Sequence, residues 1–292
     1  MDGSPVDTKN PALGPRVGEL VEVRSEEEIL RTLDSRGTLD SLPFMPEMRR
    51  FCGQRFRVYK RASKACDTVE WQTLRRMEDA VHLEGLRCDG SAHGGCQAGC
   101  LIYWKEAWLK RVAGPSIASP SPEAGDGELS GPAEDVGACT AETLMQATRR
   151  DADAGDAVFS CQATELLRAT TSDIPWWQAG QYVSDVRSGN AGVRRVIVGL
   201  LVGFFNKFQQ ANRRLFPRRT LIHGGRTYPF VLGQAGSPSG TAEVLDLKPG
   251  ELVEVKSRDE IFATLNERDR TRGLRFDGEM LKYCGRRGRV LR

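Results

Sequence analysis

The stretch from Gly18 to Val58 aligns without a gap onto Gly250 to Val290, and about half of the aligned positions are identical. A gapless duplication of this kind constrains the fold more than any single motif, because both copies must satisfy the same local structure. GELVEV recurs at Gly18 and Gly250, and Ser25, Glu28-Ile29 and Thr32-Leu33 recur as Ser257, Glu260-Ile261 and Thr264-Leu265. Further on, Leu42, Phe44, Glu47-Met48, Cys52-Gly53, Arg55 and Arg57-Val58 recur as Leu274, Phe276, Glu279-Met280, Cys284-Gly285, Arg287 and Arg289-Val290. The alternating Leu/Val/Val predicts a strand. SEEEILRTLD carries apolar residues at helical spacing behind a serine cap with Glu28 three residues on, which predicts a short helix. After the Cys-Gly turn, Phe56 and Val58 alternate with Arg55, Arg57 and Lys60 and predict a second strand.

The segment LPFMPEMRRFCGQRFRVYK is similar to SH3-like barrels of the kind appended to nitrile hydratase β subunits and to KOW domains. That resemblance implies a small β-barrel that binds a partner rather than one that catalyses. The expected fold is therefore α+β with mainly β modules: tandem SH3-like small barrels flanking a helical middle region. The expected organisation is a flexible N-terminal tail over 1–16, a first module over 17–111 that carries a cysteine knuckle, and a disordered linker over 112–138 rich in Pro, Gly, Ser and Ala. A helical middle follows over 139–242, and a second module over 243–292. The second copy stops at Arg292, two residues beyond Val290, and reads as truncated.

Chemistry concentrates between Cys66 and Cys100. The opening MDGSPVDTKNPALGPR lacks the basic, apolar and small-residue regions of an export signal, so a cytoplasmic chain with reduced thiols is expected. In that setting a tight cysteine cluster points to metal ligation. Cys66, Cys88, Cys96 and Cys100 stand among the glycines at 90, 94, 95 and 99, which free the backbone to wrap donors around one point. Zn2+ takes four S or N donors at about 2.0–2.3 Å, so these thiols form the preferred set, with His93 able to replace Cys66 and His82 the weaker substitute. Four protein donors predict a closed, structural site. Cys52 and Cys284 recur at equivalent places and read as small buried hydrophobes before a turn. Leu101, Trp104, Trp108 and Leu109 read as a helix packed against the site.

CDGSAH at Cys88 to His93 resembles the CDGSH iron–sulfur motif, with Ala92 inserted before the histidine. The resemblance implies a [2Fe-2S] cluster held by Cys88 and His93 and a redox role. The stretches from GELVEVRS through HLEGLRCDGSAHGGCQAGC also resemble an uncharacterised family of bacterial proteins with duplicated modules. That likeness implies a bacterial chain and brings no activity with it.

In the middle region, Thr140 is placed to cap a helix over TAETLMQATRR, and Cys139 and Cys161 read as core thiols. A Cys161 nucleophile with His223 as its base is the catalytic alternative. No Walker motif, GxSxG elbow, HExxH pair or dinucleotide fingerprint is present, so enzyme readings are disfavoured. Net charge is only +3, yet Val186 to Ala242 contains no acidic residue while carrying Arg187, Arg194, Arg195, Lys207, Arg213, Arg214, Arg218, Arg219 and Arg226. Apolar residues at i, i+3 and i+4 predict a helix from Ala191 to Phe216 that Pro217 ends. Its uncharged core is shorter than the roughly 20 residues a bilayer requires. Arg213, Arg214, Arg218 and Arg219 are the candidate anion-binding set, for an anionic membrane surface or nucleic acid. Gly199 and Gly203 form a GxxxG that suits self-association. The expected function is binding or scaffolding of an unknown protein partner around a structural Zn2+.

Overall fold

The computed structural model describes residues 14–66, 74–112, 139–150, 158–215, 221–231, 233 and 245–291. Within them the chain is mixed α+β, and its antiparallel sheets are open; none closes into a barrel among the described residues. Two compact units meet in sequence at Gly192/Val193. The region read as one helical middle is thus divided, with residues 139–192 belonging to the first unit. The expected tail and linker fall almost wholly on residues 1–13 and 113–138, outside the described residues.

The first unit is built on five strands: β1 (Leu20–Val23), β2 (Arg55–Arg61), β3 (Ala80–Leu83), β4 (Trp104–Lys105) and β5 (Leu109–Arg111), in the order β4-β3-β2-β1-β5. Period-two alternation sends Val21 and Val23 of β1 fully inward. A short helix α1 (Glu26–Leu30) follows, because Ser25 and Glu28 form the capping box that the sequence promises. Its Ile29 and the following Leu33 are fully buried over the sheet. The segment after His82 does not form the expected helix. It returns to the sheet as strand, 3-10 turn and strand, which drives Trp104 and Trp108 into the centre of the core. Phe44 meets both indoles edge-on, at 6.4 and 5.3 Å between ring centroids. Buried Lys105 is carried by donating to Asp40 Oδ2 at 2.7 Å and to the Glu78 carbonyl at 3.1 Å. Helix α2 (Ala141–Thr148), capped by Thr140 as expected, lays Leu144 on the same core, and α3 (Gly180–Arg187) lies near the end of the unit.

The second unit holds α4 (Val193–Leu215), the long helix that the apolar spacing predicts, and the second copy of the duplicated module. Strand β6 (Leu252–Glu254) pairs with β7 (Arg287–Arg289) in the register of β1 on β2: Leu252 opposes Arg289 as Leu20 opposes Arg57. Helix α5 (Arg258–Thr264) repeats the Ser/Glu capping box through Ser257 and Glu260. The following turn is also shared. Asp34 Oδ1 accepts from Thr38 N at 2.8 Å, and Asn266 Oδ1 accepts from Arg270 N at 3.1 Å. Backbone φ angles of 49° at Asp40 and 48° at Arg272 show that even the left-handed corner is kept.

Candidate metal centre

A buried carboxylate opens the site. Glu47 sits at the start of the 3-10 turn Pro46–Phe51, where Pro46 fixes the entry, and its side chain is 1% exposed. Facing it is the loop that follows β3. Cys88 N donates to the Cys100 carbonyl at 2.9 Å, and His93 N and Gly95 N both donate to the Gly90 carbonyl at 3.0 Å. This winding requires glycine at one point. Gly90 has φ 75°, and a Cβ there would stand 1.9 Å from the Cys96 carbonyl oxygen. Arg50, on the same 3-10 turn as Glu47, pairs with Asp89 of the loop at 2.5 Å and ties the two elements together.

Three ligand-type atoms converge there. The Cys88 thiol donates to Glu47 Oε1 at 3.1 Å, His93 Nδ1 lies 3.2 Å from the same oxygen, and Cys88 Sγ is 3.9 Å from His93 Nδ1. All three lie within 4.8 Å of one another, as one metal ion would need. Burial alone would push the Glu47 carboxyl up, but the hydrogen bonds from His93 and Cys88 outweigh it and hold the group below its ordinary value. The Cys88 thiol is pushed up to about 12, first by burial and then by the Glu47 carboxylate that accepts its hydrogen bond. Left as protein alone, this cysteine is a poor nucleophile. Two further atoms, Glu47 Oε2 and His93 Nε2, are buried without a hydrogen-bond partner among the described residues.

Of the five metal ligands expected from sequence, this point gathers Cys88 and His93 and adds Glu47. Cys66, Cys96 and Cys100 are exposed and do not share it. The four-thiol set therefore does not close around one position in this fold. Cys66 ends the strand Lys64–Cys66, and Cys96 and Cys100 follow the turn wound on the Gly90 carbonyl, where both are exposed. Cys100 instead has Cys161 and Cys96 as electrostatic neighbours, and Tyr103 has Cys66 and Cys100. Cys161, read from sequence as core, does pack against the core, partly buried. Glu47 was legible only as a carboxylate set within the apolar run LPFMPEM. Its counterpart Glu279 is exposed.

His82 serves structure, with Nδ1 against the Ile102 carbonyl at 2.8 Å and its ring 4.5 Å from Tyr103. Cys52 packs on the core, and its thiol is pushed up to about 11 by burial first and the Glu26 charge second. His223 rests 4.4 Å from the Phe230 ring in the second unit, whereas Cys161 belongs to the first. Among the candidate anion-binding arginines, Arg213 is exposed on α4, while Arg218, Arg219 and the Arg214 side chain lie outside what is described. Apart from the helix's own backbone, nothing stands within 4 Å of a Cβ position at Gly199 or Gly203. No helix among the described residues is long and apolar enough to cross a membrane. No family model, curated protein or solved structure matches this chain, so the fold and this donor set carry the functional argument.

Proposed function

We propose that the protein is a non-catalytic binding or scaffolding protein whose first module is fastened by a structural zinc ion held by Glu47, Cys88 and His93. The convergence of those three atoms carries the reading. Zinc–ligand bonds of about 2.0–2.3 Å in a tetrahedron place neighbouring donors roughly 3.3–3.8 Å apart, close to the separations of 3.1, 3.2 and 3.9 Å. A mixed O, S and N set suits borderline Zn2+ better than a [2Fe-2S] cluster, which is held chiefly by thiolates. Binding would displace the Cys88 proton, so uptake is linked to pH and favoured as pH rises. Glu47 and His93 have side chains 1% and 4% exposed, which supports a structural role. The strand–helix–strand modules, read as SH3-like, supply the partner-binding surfaces, and eight free cysteines fit a reducing, cytoplasmic setting.

Metal analysis of protein purified without added metal tests this. One zinc per chain is expected, lost in Cys88→Ser and in His93→Gln, with a chelator lowering the melting temperature of the native chain. A colourless, metal-free protein whose melting point ignores both zinc and chelator would refute the proposal. A brown, redox-responsive protein would favour the iron–sulfur reading instead.

One observation on α4 favours a second interaction. Ile197, Leu201, Phe204 and Phe208 stand exposed at i, i+4, i+7 and i+11, on a helix with four arginines, one lysine and no acidic residue. We propose that this face lies on an anionic lipid surface, apolar side down and basic residues toward the headgroups. Co-sedimentation with phosphatidylserine-containing vesicles, lost in Phe204→Asp, is the expected result. Retention of that variant on vesicles, or equal capture by nucleic acid alone, would overturn it.

A further inference from the structure

Beyond the pairing of β3 with β4, the same two segments meet once more. Arg87 and Leu101 form an isolated antiparallel bridge, and Cys88 N donates to the Cys100 carbonyl at 2.9 Å. A further bond, from Arg87 Nη1 to the Gly99 carbonyl at 2.7 Å, holds the stretch together. Cys88 and Cys100 are therefore the opposed pair next to the bridge. Opposed residues of an antiparallel ladder carry their side chains on the same face, and a hydrogen-bonded pair has its Cα atoms about 5.5 Å apart. A disulfide spans Cα separations of about 4.4–6.8 Å, most often about 5.5–6 Å. The backbone already holds these two sulfurs within reach of one bond.

The two thiols differ in exposure. Cys100 is exposed and open to a small oxidant, whereas Cys88 is half-buried against Glu47 and His93. Cys100 is among the charges that push the Cys88 thiol up, so the two are close through space as well as through the backbone. Cys96 and Cys161 act on Cys100 in the same way, but neither shares a backbone hydrogen bond with it among the described residues. Cys88 can also leave the cluster without stranding a buried charge, because Glu47 Oε1 and His93 Nδ1 keep each other at 3.2 Å.

We propose that Cys88 and Cys100 form a reversible disulfide that opens the metal site in the presence of a peroxide. The Cys100 sulfur takes one oxygen from hydrogen peroxide, giving a sulfenic acid and releasing one water. The Cys88 sulfur then attacks the Cys100 sulfur and the S–O bond breaks. The departing hydroxide takes the Cys88 proton, or a solvent proton where metal has already displaced that one, and leaves as the second water. Two thiols have lost two electrons and two hydrogens, and one peroxide has become two waters. The Cys88 thiol is a weak nucleophile, but holding both sulfurs side by side replaces a chance encounter with a unimolecular step. The link withdraws the sulfur from the Glu47, Cys88 and His93 set, and the oxygen and nitrogen that remain hold Zn2+ poorly, so the ion leaves. Exposed disulfides are the labile ones, so a reductant closes the site again. Loss of the ion rests on the zinc reading above, whereas the disulfide rests on the backbone pairing alone.

The test treats the reduced full chain with hydrogen peroxide, alkylates it and digests it with trypsin. Cys88 to Lys105 is a single tryptic peptide with three cysteines, Cys88, Cys96 and Cys100. After oxidation it is expected to carry one alkyl group, on Cys96, and a link between Cys88 and Cys100. Cys96→Ser should form the same link. Cys100→Ser, a change at an exposed position, should leave Cys88 open to alkylation. Zinc released to a chromogenic chelator should rise in step with the link and return to the protein on reduction, while Cys100→Ser keeps its zinc through the same treatment. Cys88 alkylated in the oxidised native chain, or a link that runs from Cys100 to Cys96 or Cys161 instead, would overturn the inference. A chain that binds no zinc yet forms the link would count against the metal reading and leave the disulfide standing; one that binds zinc and forms no link would do the reverse.

Discussion

Trp108→Ala should remove most of the stability of the first unit. The indole is wholly buried, meets Phe44 at 5.3 Å and donates to Thr32 at 3.1 Å. Deleting a buried aromatic side chain costs about 3–5 kcal/mol through lost transfer energy and the residual cavity. That is a large part of the roughly 5–15 kcal/mol that a domain has in total. Trp108→Phe separates the contributions. It keeps a ring against Phe44 and gives up the indole donor, so about 1–2 kcal/mol is expected, of which about 1 kcal/mol is the hydrogen bond. Thr32→Val combined with Trp108→Phe closes a double-mutant cycle, and a coupling of about 0.5–1.5 kcal/mol is expected between residues in direct contact. Urea unfolding followed by near-ultraviolet circular dichroism reads these values, and the second unit, where the counterparts of Val23, Leu42 and Met48 are exposed, should unfold at lower denaturant. A loss below about 1 kcal/mol in Trp108→Ala would refute the placement of this side chain at the core's centre. Strictly additive effects of the two smaller changes would refute the hydrogen bond.

Further outcomes follow from the site and its supports. In metal-free protein the Glu47 carboxyl is held below its ordinary 4.5 by the bonds it accepts, so its stabilisation is complete above that value and is lost as pH falls through the lower, native one; Glu47→Gln should flatten unfolding free energy against pH in that acid range, and an unchanged profile would contradict the buried cluster. Gly90→Ala places a Cβ against the Cys96 carbonyl at φ 75° and should cost at least about 1–2 kcal/mol, with zinc affinity falling alongside; full zinc retention at unchanged stability would show that the loop is wound differently. Ser25→Ala removes a capping box and should cost about 1 kcal/mol in the first unit, with Ser257→Ala doing the same in the second; thermal melts of the two variants check whether each change acts on its own unit.

Local structure was readable because its causes lie within a few residues of one another. The Ser/Glu boxes, the Val alternation of β1 and the Thr140 cap each act over three or four positions, so α1, α5, β1 and α2 follow from the sequence directly. The apolar spacing of α4 did so as well. Composition could not say which thiols would meet. Cys66, Cys96 and Cys100 carry the right chemistry, but where a side chain ends up depends on strand ends and turn φ angles, and here these leave the three thiols exposed while Cys88 is half-buried beside Glu47 and His93. Trp104 and Trp108 misled for a related reason. Their spacing of four suits a helix, whereas pairing of β4 with β3 and of β5 with β1 makes the segment two strands joined by a 3-10 turn.

Sequence by itself determined that one module occurs twice, with the same caps, turns and strand register, because these are short-range properties carried by the repeated residues. Tertiary structure alone decided that Trp104 and Trp108 come back to cover the first copy and that a carboxylate 41 and 46 positions from its Cys88 and His93 partners sits between them. Those outcomes depend on which strands find an edge and which side chains they bury. That choice is made by packing across the whole sheet, and no local pattern encodes it.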